Sequence, residues 1–209
     1  MKGCRPLSVE EVQQVASSFT GYDAQRDRTL FILGVMSGFR ISELLSLRVR
    51  DVVQNKRVRA EVEVLRRNMK GKHESRQVFM NPQAQEAVLA LIYVMQKRGV
   101  WNHDSYLFKS RQGKNSPITR VRAYQILSRA FGMCGLSGKL GTHSMRKTFG
   151  NNVYEHMLDL VAQGVGVDAY RETAKALGHK SVGSTESYLA FRNEHLRGAV
   201  RSFSIGERA

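Results

Sequence analysis

The sequence contains little cysteine, few acidic residues and no long apolar stretch. Its 209 residues include only Cys4 and Cys134, which fits two free thiols in a reducing compartment better than a disulfide framework. No segment approaches the roughly 20 consecutive apolar residues of a membrane span, and the first residues lack the apolar core of a signal peptide. These absences predict a cytoplasmic protein with no membrane partner.

The shortage of acidic residues leaves a large positive charge. Asp and Glu number 18 against 33 Lys and Arg, which gives a formal net charge of +15. The basic residues are spread over several segments, so we expect a surface that attracts a polyanion through counterion release. Nucleic acid is the predicted partner, although an unrelated RNA-binding protein would carry the same charge.

Periodicity predicts helices on both sides of a small sheet. Ser8 and Glu11 form a capping box at the start of a first helix, and Asn81 begins another helix. Between these helices, apolar and charged residues alternate over 57–80, a pattern typical of an antiparallel sheet. The last third again reads as helices. Because there is no internal repeat or linker, we predict one α+β domain over residues 1–209, predominantly helical with a small antiparallel sheet.

Two segments place an arginine where an anion would stabilise it. In HSMR, His143 and Arg146 are three residues apart, so one helix face presents both to a shared ligand. Arg40 lies among small and apolar residues in SGFRISELLSL, where an unpaired charge is costly. A phosphate would satisfy Arg40, but a pair with Glu43 is the simpler interpretation of that segment alone. HSMR alone is more simply explained as a surface histidine and a surface arginine.

The stretch LGHKSVGSTESYLAF combines a helix end with two polar rings. Gly178 is predicted to end a helix, His179 follows at once, and Tyr188 comes nine positions after that histidine. Taken alone, this tyrosine is more simply explained by packing with Leu189 and Phe191. Only the combination with the other segments favours chemistry.

The segments GFRISELLSL, MKGKHESR, HSMR and LGHKSVGSTESYL, in this order, resemble the catalytic domain of the tyrosine recombinase (phage integrase) family. The resemblance covers essentially the whole chain. It implies the family's mixed helical fold with a three-stranded sheet, and chemistry without a metal, ATP or another cofactor. No N-terminal core-binding domain is expected in this chain, as in a piece of a longer recombinase or in the short recombinases of fimbrial switches. The resemblance implies the active-site residues Arg40, Lys70, His143, Arg146, His179 and Tyr188.

Each of these residues then has an implied role in phosphoryl transfer. Arg40 and Arg146 would hold the non-bridging oxygens of the phosphodiester. Tyr188 would be the nucleophile and form a phosphotyrosyl bond. His143 would accept the tyrosine proton, and His179 would donate a hydrogen bond to the phosphate.

The hairpin segment MKGKHESR contains two candidates for the general acid that protonates the leaving oxygen. We prefer Lys70 over Lys72 because the family's lysine precedes a glycine in its hairpin. Glu43 is expected to orient the site without touching DNA. The predicted DNA-binding residues are Lys72, Arg76, Arg120, Arg122, Lys147 and Lys180.

The implied function is site-specific recombination of double-stranded DNA through a covalent 3′-phosphotyrosyl intermediate. Self-association on DNA as a tetramer is expected through a C-terminal helix with one apolar stripe, and accessory DNA-bending proteins are possible partners. Two alternatives share part of the evidence. A type IB topoisomerase would use the same nucleophile and arginines, and a DNA-binding regulator of the same fold would bind without cutting.

Overall fold

The computed structural model describes residues 3–64, 76–179 and 182–189, the last range without the side chains of 182 and 186–188. The helices are α1 Val9–Ser18, α2 Ala24–Ser37, α3 Ile41–Ser46, α4 Val49–Val52, α5 Pro82–Lys97, α6 Arg120–Met133, α7 Thr142–Ala162, α8 Ala169–Leu177 and α9 Val182–Leu189. The strands are β1 Val53–Gln54, β2 Arg57–Val58, β3 Glu61–Val64 and β4 Arg76–Phe79. The predicted mixture of many helices and few strands is confirmed.

Local capping explains where several helices begin. The Ser8 side chain accepts a hydrogen bond from the Glu11 backbone, and the Glu11 carboxylate accepts one from the Ser8 backbone, which is the predicted capping box. At the start of α5, the Asn81 side chain accepts from the backbone of Ala84 over 2.8 Å. Pro82 occupies the first turn, where its missing N–H costs nothing.

The strands form two short antiparallel ladders. β1 and β2 make a hairpin whose turn residues, Asn55 and Lys56, have φ of +50° and +62°. β3 pairs with β4 so that Val62 lies opposite Val78. The predicted antiparallel sheet is therefore present, but the described strands divide into two two-stranded ladders where three strands were expected. The Arg59 backbone donates to the Val52 carbonyl at the end of α4, in the register of the first ladder, and the second ladder begins two residues later at Glu61.

Helix α2 is the centre of the packing. Nine of its 14 residues are buried, including Leu30, Phe31 and Leu33, and the helix packs against α5 and α7. One apolar cluster extends from α1 through both ladders to Met145 of α7, and a smaller one joins α7, α8 and α9 around Tyr154. The motif-bearing segments are attached to these two clusters.

Two glycines, one within α2 and one at its C-cap, bring this helix close to α7. A Cβ on Gly34 would clash with the Met145 side chain as it is packed here, so this glycine lets α7 lie against the bare backbone of α2. Gly38 ends α2 with φ of +64°, a left-handed conformation that glycine adopts without strain. The carbonyl of Gly38 is thereby placed beside α7.

The longest described helix, α7, has 21 residues and carries several charges along its length. Within the described ranges, no helix is both long enough and apolar enough to cross a lipid bilayer.

Candidate active site

Arg146 connects three segments that are far apart in the sequence. Its side chain projects from α7 and is buried, with 3% of the residue exposed. The guanidinium donates to the carbonyl of Gly38 and to the carbonyl of Leu177. Those carbonyls lie two residues before Arg40 and two residues before His179. One arginine thus holds the α2–α3 turn and the end of α8 together.

Arg40 begins α3 and is paired with Glu43. The Arg40 backbone donates to Oε2 of Glu43 over 2.8 Å, and Nη1 of Arg40 donates to Oε1 over 2.9 Å. A second guanidinium, that of Arg76 on β4, donates to Oε2 of Glu43 over 2.8 Å. The carboxylate is therefore held between two arginines, as expected for a residue that orients the site.

The environment of Glu43 favours its ionised form. Its side chain is 1% exposed, and this burial alone would raise the pKa of the carboxyl group. The charge of Arg76 and the hydrogen bonds from Arg40 oppose burial and lower the pKa below its ordinary value. Glu43 is therefore ionised and in contact with the guanidinium of Arg40.

His143 occupies the first turn of α7, on the accessible side of the molecule. Loss of hydration lowers the pKa of its imidazole, and the positive charges of Arg146, Lys147 and Arg40 lower it further. These cations are close enough to act on the ring. A neutral imidazole is thereby favoured near pH 7, and only the neutral form accepts a proton.

His179 follows the left-handed C-cap of α8, Gly178. Its Nδ1 lies 2.8 Å from the hydroxyl of Thr185, and Thr185 is completely buried in α9. The contact fixes the orientation of the imidazole ring between α8 and α9. Tyr188 belongs to α9 as well, and its side chain lies outside the described part of the chain.

The site thus combines residues from three of the four sequence motifs, GFRISELLSL, HSMR and LGHKSVGSTESYL. These residues are Arg40, Glu43, His143, Arg146 and His179. The profile of the phage integrase family matches residues 6–195. The chain belongs to the phage integrase family. The predicted family, fold class and enzyme class, tyrosine-type recombinase, are thereby confirmed.

One curated relative supports the same family, and two solved structures share the fold. The chain is 33% identical over 196 residues to the probable integrase/recombinase YoeC of Bacillus subtilis strain 168, covering 94% of each. The structure of the XerA recombinase matches 93% of this chain and 63% of the XerA chain, at 20% identity and a TM-score of 0.71. The structure of the XerH site-specific recombinase bound to palindromic difH substrate matches 95% of this chain and 53% of the XerH chain. The identity is 23% and the TM-score is 0.67. Against several other curated relatives, this chain spans about half of their length.

Within this family assignment, the structure brings together some predicted residues and leaves others apart. Arg40, Glu43, His143 and Arg146 form one group, and His179 is tied to it through the Leu177 carbonyl. Lys70, Lys72 and Lys180 lie outside the described residues.

The predicted DNA-binding residues differ in their settings. Arg120 and Arg122 are exposed in the first turn of α6, where the charge of Arg122 acts on Asp27 of α2. Lys147 is half-buried and adjoins Arg146 in sequence. Arg76 departs from the expectation for a DNA contact, because its side chain is only 12% exposed and engages a buried carboxylate.

The contacts of Thr185 with His179 and of Arg76 with Glu43 were not predicted from the sequence. The T-x-x-Y spacing that ends at Tyr188 offers no signal that Thr185 binds a histidine. Arg76 is an ordinary basic residue of a strand until the fold places it against α3. The available signal for the second contact was Glu43 in the segment Arg40-Ile41-Ser42-Glu43, because a carboxylate buried there requires more than one cation.

Proposed function

We propose that this chain is the catalytic domain of a site-specific recombinase that cuts and rejoins double-stranded DNA. The observation that carries the proposal is the contact of one guanidinium, Arg146, with the segments of Arg40 and His179. Two fixed arginines suit the charge that develops on the non-bridging oxygens of a phosphodiester. The net charge of +15 supports DNA as the partner.

The reaction is a transfer of the phosphoryl group from DNA to protein and back. The phenolic oxygen of Tyr188 attacks the phosphorus, and the bond between phosphorus and the 5′ oxygen breaks with its electron pair leaving on that oxygen. The tyrosine proton passes to a base, and the leaving oxygen receives a proton from Lys70. The products are a 3′-phosphotyrosine and a free 5′-hydroxyl, and the reverse steps reseal the strand without ATP.

The histidines are suited to different parts of this reaction. The lowered pKa of His143 keeps its ring neutral near pH 7, so it can accept the proton of Tyr188, and it loses this capacity as the pH falls through that pKa. The ring of His179 is oriented by Thr185, which suits a hydrogen bond to a phosphate oxygen. Glu43 orients the guanidinium of Arg40 through their ion pair.

Covalent capture of DNA tests the proposal directly. The chain is incubated with duplex fragments that cover the genomic region around its own gene, and protein–DNA adducts are separated under denaturing conditions. We expect one or a few fragments to form an adduct, with a 5′-hydroxyl end that accepts phosphate from polynucleotide kinase without prior phosphatase treatment. A second copy of the same site should then be required for recombination.

Other outcomes distinguish the alternatives. Relaxation of plasmids that lack any such site, by a monomer, would indicate a topoisomerase. Specific binding without an adduct on any fragment would indicate a regulator that does not cut. Equal affinity for RNA with no adduct would remove the recombinase proposal altogether.

Sulfur substitution in the DNA separates Lys70 from Lys72. A thiolate leaves phosphate without needing a proton, because its pKa is several units below that of an alcohol. On DNA with a 5′-bridging sulfur, Lys70→Ala should therefore cleave at close to the wild-type rate, although it is severely slowed on ordinary DNA. Single-turnover adduct formation measures both rates.

Lys72→Ala is the matched control, with the same change two residues away. It should be mildly impaired on both substrates and show a shallower salt dependence, as expected for one lost backbone contact. Rescue of Lys72→Ala alone would exchange the two roles. Rescue of neither would place the general acid elsewhere, with the two histidines next.

The proposed partners include further copies of the chain. In RNEHLRGAVRSF, the apolar side chains of Leu196, Ala199, Val200 and Phe203 recur at helical spacing. This segment lies outside the described residues, and we propose that it docks on a neighbouring copy in a tetramer on DNA, with accessory DNA-bending proteins as further partners. Deletion after Arg192 should reduce assembly on paired sites more than binding to one site, measured by mobility shift. Equal loss of both would indicate packing within one chain.

The proposed DNA surface extends beyond the reacting phosphate. It comprises Lys72, Arg120, Arg122, Lys147 and Lys180, each expected to contact the phosphate backbone rather than base edges.

A further inference from the structure

Arg76 is positioned between the two halves of the site. Its Nη2 donates to Oε2 of Glu43 over 2.8 Å and to the carbonyl of Gly38 over 3.5 Å. Its Nη1 donates to the carbonyl of Ala176 over 3.3 Å. One guanidinium therefore joins the first residue of β4 to the segment that carries Arg40 and to the end of α8.

The buried carboxylate of Glu43 depends on these contacts. A carboxylate that is 1% exposed stays ionised only when cations and hydrogen bonds replace its lost hydration. Arg40 contributes two bonds, but its side chain is 35% exposed and partly screened by water. Arg76 is 12% exposed, so it is the more deeply buried of the two cations and the less screened partner.

We propose that Arg76 is a positioning residue: it orients Glu43 and, through Glu43, fixes the guanidinium of Arg40 against the scissile phosphate. Its bond to Ala176 also keeps the end of α8, three residues before His179, in register with Arg40. The inference rests on the proposed function, because the phosphate contact of Arg40 belongs to it. It assigns Arg76 a role different from that of a DNA-backbone contact.

The two roles predict different responses to pH. Burial raises the pKa of Glu43 and Arg76 is the main opposing charge, so the pKa should rise when Arg76 is replaced. The other charged group in contact with the carboxylate is Arg40 on its own segment, and Arg146 of α7 shares the Gly38 carbonyl with Arg76. As the pH falls, Glu43 would take up a proton and Arg40 would lose its partner. A lost DNA contact would weaken binding without this pH dependence.

The experiment measures adduct formation with the full chain on the fragment that wild type cleaves, from about pH 5.5 to about pH 8.5. Relative to wild type, Arg76→Met should be slowed by about 100-fold at the acidic end, the effect expected for a misplacement near 1 Å, and by less at the alkaline end. Adding Glu43→Gln should abolish this extra pH dependence, because no carboxylate remains to titrate. The titration of His143 is shared by all variants and cancels in the ratios.

Two further variants serve as controls. Arg76→Lys keeps a charge beside Glu43, so it should retain the wild-type pH profile, but at a reduced rate because an ammonium cannot bridge the carboxylate and the carbonyls. Arg57→Met makes the same change at an exposed arginine of β2 and should keep both rate and profile. If Arg76→Met does not fold, Arg76→Lys decides: a reduced rate at unchanged DNA affinity supports the proposal, and a wild-type rate overturns it.

Thermal unfolding without DNA separates this inference from the proposed function. In Arg76→Met, the raised pKa of Glu43 means that the folded state binds a proton that the unfolded state releases, so the melting temperature should fall as the pH rises above the ordinary pKa of a glutamate. Addition of Glu43→Gln should remove that slope. A wild type that forms no adduct would refute the proposed function while the melting curves still report on Glu43. Parallel pH profiles of wild type and Arg76→Met, in rate and in melting temperature, would overturn the role of Arg76.

Discussion

Tyr188→Phe is expected to abolish the covalent protein–DNA adduct while leaving DNA binding and stability close to wild type. The change removes one oxygen and keeps the aromatic ring, so helix α9 retains its packing, in which Leu189 is 3% exposed in a cluster with Tyr154. No other atom of the side chain can form the bond to phosphorus. The loss should therefore be complete rather than graded.

Three measurements check this result: adduct yield on a denaturing gel, DNA affinity by mobility shift, and the melting temperature. Tyr170→Phe is the matched control, because Tyr170 is a partly exposed tyrosine whose ring lies 4.8 Å from that of Tyr154. It should form the adduct at the wild-type rate. An adduct from Tyr188→Phe would assign the nucleophile to another residue.

Arg146→Ala should slow adduct formation by about 10²- to 10³-fold, the loss typical of one donor to a developing oxyanion. It should also destabilise the fold, because the Leu177 carbonyl loses its buried donor and the Gly38 carbonyl keeps only the long bond from Arg76. A buried acceptor left unsatisfied costs about 1–3 kcal/mol. Arg146→Lys should not restore the rate, since an ammonium lacks the planar fork that reaches both carbonyls.

Arg40→Ala should reduce the rate to a similar extent but destabilise the fold less. Its side chain is 35% exposed, and Glu43 keeps its bond to Arg76 when Arg40 is removed. Single-turnover rates and urea unfolding measure the two effects. Arg129→Ala, at an exposed arginine of α6, should change neither. A wild-type rate for the alanine variant at Arg40 or Arg146 would make that arginine structural.

Much of the fold is predictable because local signals and tertiary packing agree. The capping box of Ser8 and Glu11 and the Asn81 cap mark helix starts that the structure keeps. The sheet is less predictable, because the alternation over 57–80 continues across the point where β2 ends and β3 begins. The Asn55–Lys56 turn requires two positive φ angles, which apolar alternation does not encode.

The motifs predict which residues the site contains, but not how they are held. Arg40 with Glu43 was foreseeable as a local pair, three residues apart at a helix start. The contacts of Arg146 with Gly38 and Leu177 span 108 and 31 residues, so no sequence periodicity reports them. Arg76 was predicted as a DNA contact because basic residues in a basic protein look alike before folding selects which one meets a buried carboxylate.

The arginines at the centre of the site are held largely by main-chain oxygens, those of Gly38, Ala176 and Leu177. A backbone carbonyl remains whatever side chain accompanies it, so mutations at 176 and 177 spare the acceptors as long as the helix keeps its path. Substitution at Ala176 therefore need not displace the arginines, whereas the completely buried side chain of Leu177 limits what position 177 can accept. Position 38 is tied to glycine, because its φ is +64° and a Cβ there would clash with the Phe149 ring.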